Sequence, residues 1–396
     1  MTAEAPVPFP IGAGVGLQEL SKSPHPVLAR LREHEPVSWL PALDGWLVTR
    51  RDLALGVVRD TEAFTVDDPR FSTRQVVGPS MLTLDGAEHE RHRAPFARAF
   101  RLDEVRERLG GLVAEEAERL VATMAPAGHA ELRAAFAGPL AVAVMGHVLG
   151  LGDADRGEVL GWYEAIVAAV TAVTSGDPVP DSGRRAFADL RATVERVLDD
   201  GGSGSLLAAA AASDGAGGLD RAEVVSNAAV LLFGGVDTTE GAIANAVLHL
   251  LSHPDQLELV QADPARLPAA VEESLRLEPA AAIVDRYATR DVELAGARIA
   301  ARDLVSVSIA AANRDPRTFE APDRFRVGRD NAGRHIAFAG GPHVCVGMHL
   351  ARLEARVAIG RLLERLPDLR LDPEEPPPAP AGLVFRKPPA LHVVWG

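Results

Sequence analysis

The stretch Phe338-Ala339-Gly340-Gly341-Pro342-His343-Val344-Cys345-Val346-Gly347 holds the only cysteine of the chain. Glycines stand on both sides of Cys345, and Pro342 stiffens the approach. Glycines at this density let backbone come close to a flat partner. From Met348 to Leu366 the residues read as helix by their period. The amides at the start of such a helix favour thiolate over thiol at a cysteine placed just before it. A lone cysteine is most often a small buried hydrophobe. This setting points instead to a nucleophile or a metal ligand.

Composition narrows the classes around that loop. The chain has 396 residues, 47% of them apolar, enough for a large core. Charged residues make up 24%, which argues against wholesale disorder. A net charge of −14 leaves no basic footprint for nucleic acid or anionic lipid. One cysteine excludes an internal disulfide, a paired-cysteine redox motif and a multi-cysteine zinc or iron–sulfur site. That usage fits a reducing, cytoplasmic setting. Met1–Pro10 has acid and proline where a signal peptide would have a basic start and an apolar core. No apolar run reaches the roughly 18–20 residues of a membrane span. A cytoplasmic protein without membrane anchor is expected.

Helical periods dominate: Asp103–Ala125, Leu132–Leu149, Ser182–Asp199, Arg221–Ser252, Pro264–Arg276 and Met348–Leu366. Strand signals are short. Val37–Val48 reads as a hairpin around Gly45, Val292–Ile299 alternates around Gly296, and Val305–Ile309 and Leu391–Trp395 alternate or end the chain as strands. The expected fold is mainly α with a minor β region. It is one domain over 1–396, with β-containing parts at roughly 30–65, 280–312 and 380–396. Gly201–Gly218 reads as a surface connection and Pro373–Pro380 as a proline-rich loop.

Three further strings carry chemistry. Glu273-Ser-Leu-Arg276 places an acid and a base on one helical face, where they can pair. Gly234-Gly235-Val236-Asp237-Thr238-Thr239 sits inside the apolar Val224–Leu251 run. Each mid-helix glycine there costs about 1 kcal/mol relative to alanine. Close helix packing would explain the glycines, with Thr bonding back to a carbonyl. His89-Glu-Arg-His-Arg93 puts His89 and Arg93 four apart on one face.

The cysteine string fits the pattern FxxGx[HR]xCxG at Phe338, Gly341, His343, Cys345 and Gly347, and so resembles the haem-binding loop of the cytochrome P450 family. Glu273 and Arg276 match that family's ExxR pair. The run from Asn313 through Pro322-Asp-Arg-Phe325 resembles its meander, whose arginine, assigned to Arg324, completes a buried network. Gly234 to Thr239 matches the helix on the oxygen side of the haem, which in the family opens locally to admit oxygen and water. The resemblance implies a cytochrome P450 fold of the soluble bacterial, actinobacterial type. Haem b would lie between that long helix and the cysteine loop.

The resemblance also implies roles. Cys345 would be the axial thiolate. His89, Arg93, Arg286 and His343 would meet haem propionates, since a planar guanidinium suits a carboxylate. Gly234, Phe338 and Gly347 would line the cofactor. Asp237 and Thr238 would relay protons to oxygen. The substrate pocket would be lined by Met81, Leu82, Val230, Phe233, Gly234, Ala282, Ile283 and Val384. Phe233 would either narrow it or pack between helices. A thiolate ligand promotes O–O cleavage, so the implied activity is monooxygenation of a hydrophobic small molecule, such as a natural-product intermediate, by hydroxylation or epoxidation. Electrons would come from a separate ferredoxin docking near Arg352 and Arg356, with the enzyme acting as a monomer. A peroxide-driven peroxygenase and a non-enzymatic haem sensor or carrier are the alternatives.

Overall fold

A 32-residue helix, Arg221–Ser252, runs through the middle of the molecule. A capping box sets its start: the Glu223 N–H donates to Asp220 at 2.8 Å and the Asp220 N–H donates to Glu223 at 2.9 Å. All but eight of its 32 residues are buried, as an all-round apolar helix requires. Around it pack the helices Gly138–Leu149, Met348–Arg365, Leu267–Leu277, Asp181–Asp199 and Arg156–Thr174. This computed structural model describes residues 9–151, 156–174, 176–200, 206–211 and 218–396.

The described strands, in chain order, are β1 (Val37–Leu40), β2 (Gly45–Val48), β3 (Phe64–Thr65), β4 (His129–Glu131), β5 (Ile283–Ala288), β6 (Val292–Leu294), β7 (Ala297–Ile299), β8 (Leu304–Ser308), β9 (Arg370–Leu371) and β10 (His392–Val394). The larger sheet has the order β1-β2-β8-β5-β3. Its β1–β2 hairpin pairs Val37 with Val48, and β2 runs parallel to β8. The sheet therefore ties the N-terminal region to the segment after Arg276. A three-stranded sheet, β4-β10-β9, brings the C-terminal strand beside residues 129–131. The fold is mostly helical with small sheets.

The Arg221–Ser252 helix keeps its expected bounds, and the helix after the cysteine loop runs Met348–Arg365. The expected Pro264–Arg276 helix opens with a 3-10 turn, Pro264–Arg266, before its helix Leu267–Leu277, and two further expected helices are broken. The Asp103–Ala125 run is a short helix, a π turn at Val105–Leu109 and a helix from Gly110, where two consecutive glycines weaken continuity. The Leu132–Leu149 run is a π turn at Arg133–Ala137 followed by Gly138–Leu149. Pro139 has no N–H to donate to the preceding turn, so the ladder shifts there. Of Gly201–Gly218, residues 206–211 are helical and 218 is described; the rest lies outside the described residues. The helix Arg156–Thr174 and strand β5 carried no signal strong enough to be singled out. Among the described residues no helix is long and apolar enough to cross a membrane.

Candidate active site

The cysteine loop is held by its own backbone and by the helix Arg51–Arg59. The Cys345 N–H donates to Phe338 O at 3.0 Å, which closes the loop. Gly341 takes φ +68°, and a Cβ there would come within 2.5 Å of Val58 O. No side chain fits, so this position requires glycine. The loop presents Cys345 as an exposed residue rather than packing it into the core. Although the residue is exposed, the protein atoms gathered around its sulfur push the thiol up, while the Gly347 N–H, Arg93 and Arg352 pull it down. The expected helix-start preference for thiolate is thus outweighed within the protein; a bound metal ion takes a thiol as thiolate outright.

Beneath the loop, Arg352 donates to Glu272 through two bonds of 2.6 and 3.0 Å and stacks over the Phe338 ring at 4.5 Å. His335 also reaches Glu272, at 3.2 Å. Burial opposes ionisation of Glu272, but His335 and Arg352 bring it down to about 2. Arg352 is therefore occupied by an internal partner, and of the two arginines expected at a docking face only Arg356 has no acidic partner among the described residues.

The helix Gly86–Ala97 bridges the loop and the central helix. His89 places Nδ1 2.8 Å from Met81 O and Nε2 3.2 Å from Pro342 O, and Arg93 donates to Val344 O at 2.6 Å. The Met81 N–H donates to Asn227 on the central helix at 2.8 Å. His343 pairs with Asp85 at 2.8 Å and lies against the His89 ring. Asp85, absent from the expected set, also accepts from Thr65 and the Val66 N–H, and its pKa lies well below the usual range despite burial. Arg286 is buried and makes one bond, to Asp285 O at 2.7 Å. Its other N–H donors have no carboxylate partner among the described residues. So His89 staples two backbone segments and His343 is held by an acid, whereas Arg286 and Arg93 each keep N–H donors with no carboxylate partner among the described residues.

On the central helix, Val230, Gly234 and Thr238 follow one another at four-residue spacing and share a face. Gly234 is exposed within this buried helix, and a Cβ built there meets nothing within 4 Å. Gly235 differs: a Cβ would come within 2.5 Å of Met145 Sδ, so close helix packing explains this glycine alone. Thr238 donates back to Gly234 O at 2.6 Å, and the helix runs unbroken rather than opening.

Phe233 and Asp237 share the neighbouring row, which faces the C-terminal loop. Phe233 meets Phe385 edge-on, with ring centroids 5.4 Å apart, so it packs between elements. Asp237 Oδ1 accepts from Tyr163 of the Arg156–Thr174 helix and from Lys387 Nζ at 2.5 Å. Lys387 also donates to Glu240 at 2.8 Å, and Glu240 accepts from Arg133 at 2.6 Å. Burial, then the Asp237 charge, holds the Tyr163 phenol protonated far above its usual range. Tyr163, Lys387, Glu240 and Arg133 belong to no motif, and nothing in the sequence flags them beyond Lys387 being one of two lysines.

The pocket residues divide. Met81, Val230 and Phe233 belong to the main core cluster, and Leu82 packs against it. Ala282 and Ile283 pack in the N-terminal cluster with Leu28, Leu31, Leu40 and Leu47. Ile283 opens β5, where it pairs with Ser308 of β8. Val384 is half-buried and accepts the Ala282 N–H at 2.8 Å.

The Glu273–Arg276 pair is fully buried, with bonds of 2.7 and 2.8 Å. The third member is Arg329, not Arg324. Arg329 Nε lies 2.9 and 3.0 Å from the two Glu273 oxygens. Arg324 is exposed and contributes only its carbonyl, which accepts from Arg276 at 3.2 Å and Arg329 at 3.1 Å. The turn closed by the Arg329 N–H on Arg326 O carries the chain back under Glu273.

A family model described as cytochrome P450 matches residues 199–394. The cytochrome P450 monooxygenase PikC of Streptomyces venezuelae is 37% identical over 387 residues, 94% of this chain and 90% of that protein. This chain belongs to the cytochrome P450 family. The mycinamicin IV hydroxylase/epoxidase of Micromonospora griseorubida is 32% identical over 409 residues, the full length of both. Among solved structures, CalO2 superposes with a TM-score of 0.86 at 31% identity, covering 94% of this chain and 96% of its own. HmtN, a post-tailoring hydroxylase of himastatin biosynthesis, gives 0.82 at 31%, with 93% and 96% covered.

The residues of this P450 fit haem. Cys345 supplies an accessible sulfur, Gly234 leaves a helix face bare, and the buried Arg286 lacks the carboxylate that its guanidinium calls for. The protein is a haem-thiolate P450 monooxygenase that uses dioxygen.

Proposed function

We propose that this P450 oxidises a hydrophobic small molecule, of the natural-product kind, with electrons delivered by a separate ferredoxin. When bound, the haem supplies oxygen activation through its thiolate-held iron. Cys345 holds the metal, with Gly341 and the Phe338 carbonyl fixing the loop. Arg93 and Arg286 offer N–H donors to the cofactor's carboxylates. Val230 and Gly234 leave an apolar strip for substrate beside Thr238. Asp237 and Thr238 move protons: the acid holds one at its carboxylate, and the alcohol passes it on.

The observation that carries this reading is Gly234, exposed within the buried middle of its helix, with the half-buried Thr238 one turn on and an acid in the next row. The relatives support the substrate class, since PikC is named a monooxygenase and the Micromonospora protein a hydroxylase and epoxidase of mycinamicin IV. Action as a monomer belongs to the same proposal.

Thr238→Ala tests the proton role. Oxygen uptake should continue while product formed per oxygen falls about a hundredfold, the lower end of the usual contribution of a positioned proton donor. Unchanged coupling would refute that role. Turnover with hydrogen peroxide alone and none with ferredoxin and its reductase would refute the dioxygen route.

A further inference from the structure

The two oxygens of Asp237 have different surroundings. Oδ1 takes two donors, the Tyr163 hydroxyl and Lys387 Nζ. Oδ2 receives no hydrogen bond from the described residues and is not among their fully enclosed, unpartnered atoms. A carboxylate gripped on one oxygen and open on the other has one place to gain or lose a proton. Lys387 comes from the C-terminal loop beside Phe385, and Tyr163 from the Arg156–Thr174 helix.

Lys387 also separates Asp237 from Glu240, three residues on along the same helix, and bonds both. Arg133 holds Glu240 from its far side. Two buried carboxylates this close repel, and the shared ammonium offsets that repulsion. The ammonium thus keeps Oδ1 engaged and the carboxylate in one orientation.

We propose that Lys387, assisted by Tyr163, is a positioning residue that fixes Asp237 with Oδ2 as the proton-handling oxygen. One proton arrives at Oδ2 and one leaves it, so the ion pair is unchanged over a turnover. This rests on the reading that Asp237 serves proton delivery.

The test compares Asp237→Asn, Lys387→Met, Lys387→Arg and Tyr163→Phe as holoenzymes. Plant ferredoxin and its reductase supply electrons, and 7-ethoxycoumarin serves as an apolar probe. Oxygen uptake, peroxide release and the solvent deuterium isotope effect on uptake are read, and a carbon monoxide spectrum checks that each variant keeps its thiolate haem. Asp237→Asn should slow uptake about a hundredfold, within the range for losing a general acid. Lys387→Met should slow it about tenfold, release more peroxide and enlarge the isotope effect. Lys387→Arg should recover most of the loss, and Tyr163→Phe should give a smaller change in the same direction. Should Lys387→Met not fold, Tyr163→Phe and Lys387→Arg carry the test. Wild-type peroxide release and isotope effect in Lys387→Met and Tyr163→Phe, with Asp237→Asn impaired, would overturn the positioning role alone. An unimpaired Asp237→Asn would overturn the proton reading beneath it.

Discussion

The Glu273–Arg276–Arg329 cluster and the Asp237–Tyr163–Lys387 cluster are both buried ion networks on helices, and they are built to different ends. In the first, each oxygen of Glu273 meets guanidinium donors, and the terminal nitrogens of both arginines reach backbone carbonyls of residues 313–324. No nitrogen or carboxylate oxygen is left without a partner, so the cluster is a lock on the meander. In the second, Asp237 keeps one oxygen free, and its partners come from two elements distant in sequence. A closed network fixes structure; an open one retains a group that can still react.

The sharpest way to break the comparison is to remove one arginine from the closed cluster. Arg329→Ala leaves Glu273 buried and short of donors. Removing one partner of a buried pair costs about 3–5 kcal/mol, so denaturant unfolding should show a loss of that size or no stable protein. The two central glycines give a smaller contrast. Gly235→Ala drives a Cβ against Met145 and should cost about 1–3 kcal/mol by the same measurement. Gly234→Ala meets no atom and should hold or gain stability, by up to about 1 kcal/mol from helix propensity, while weakening the spin-state response to apolar ligands. Smallest of all, Arg324→Ala removes an exposed side chain whose carbonyl alone takes part. It should change stability by under about 0.5 kcal/mol.

Much of this was legible in the sequence because the motifs are local. The cysteine string, the Glu273–Arg276 spacing and the Gly234–Thr239 run each fix chemistry within one loop or one helical turn. The central helix could be bounded from its long apolar run, and in the structure Asp220 and Glu223 cap its start. What escaped depends on contacts across the chain. Arg324 and Arg329 are both arginines in one irregular segment, and only the turn at Arg326–Arg329 decides which faces Glu273. Lys387 and Tyr163 reach Asp237 across 150 and 74 residues, with no pattern around either.

The central claim is that Cys345, presented by its glycine loop, binds haem iron as a thiolate. A carbon monoxide difference spectrum of the dithionite-reduced, haem-loaded protein tests it most directly. The account predicts the red-displaced Soret band that names the family, and its loss in Cys345→Ala. A band at the shorter wavelength of histidine-ligated or protonated-thiol haem in the wild-type protein, or no haem spectrum in well-folded protein supplied with haem, would contradict it.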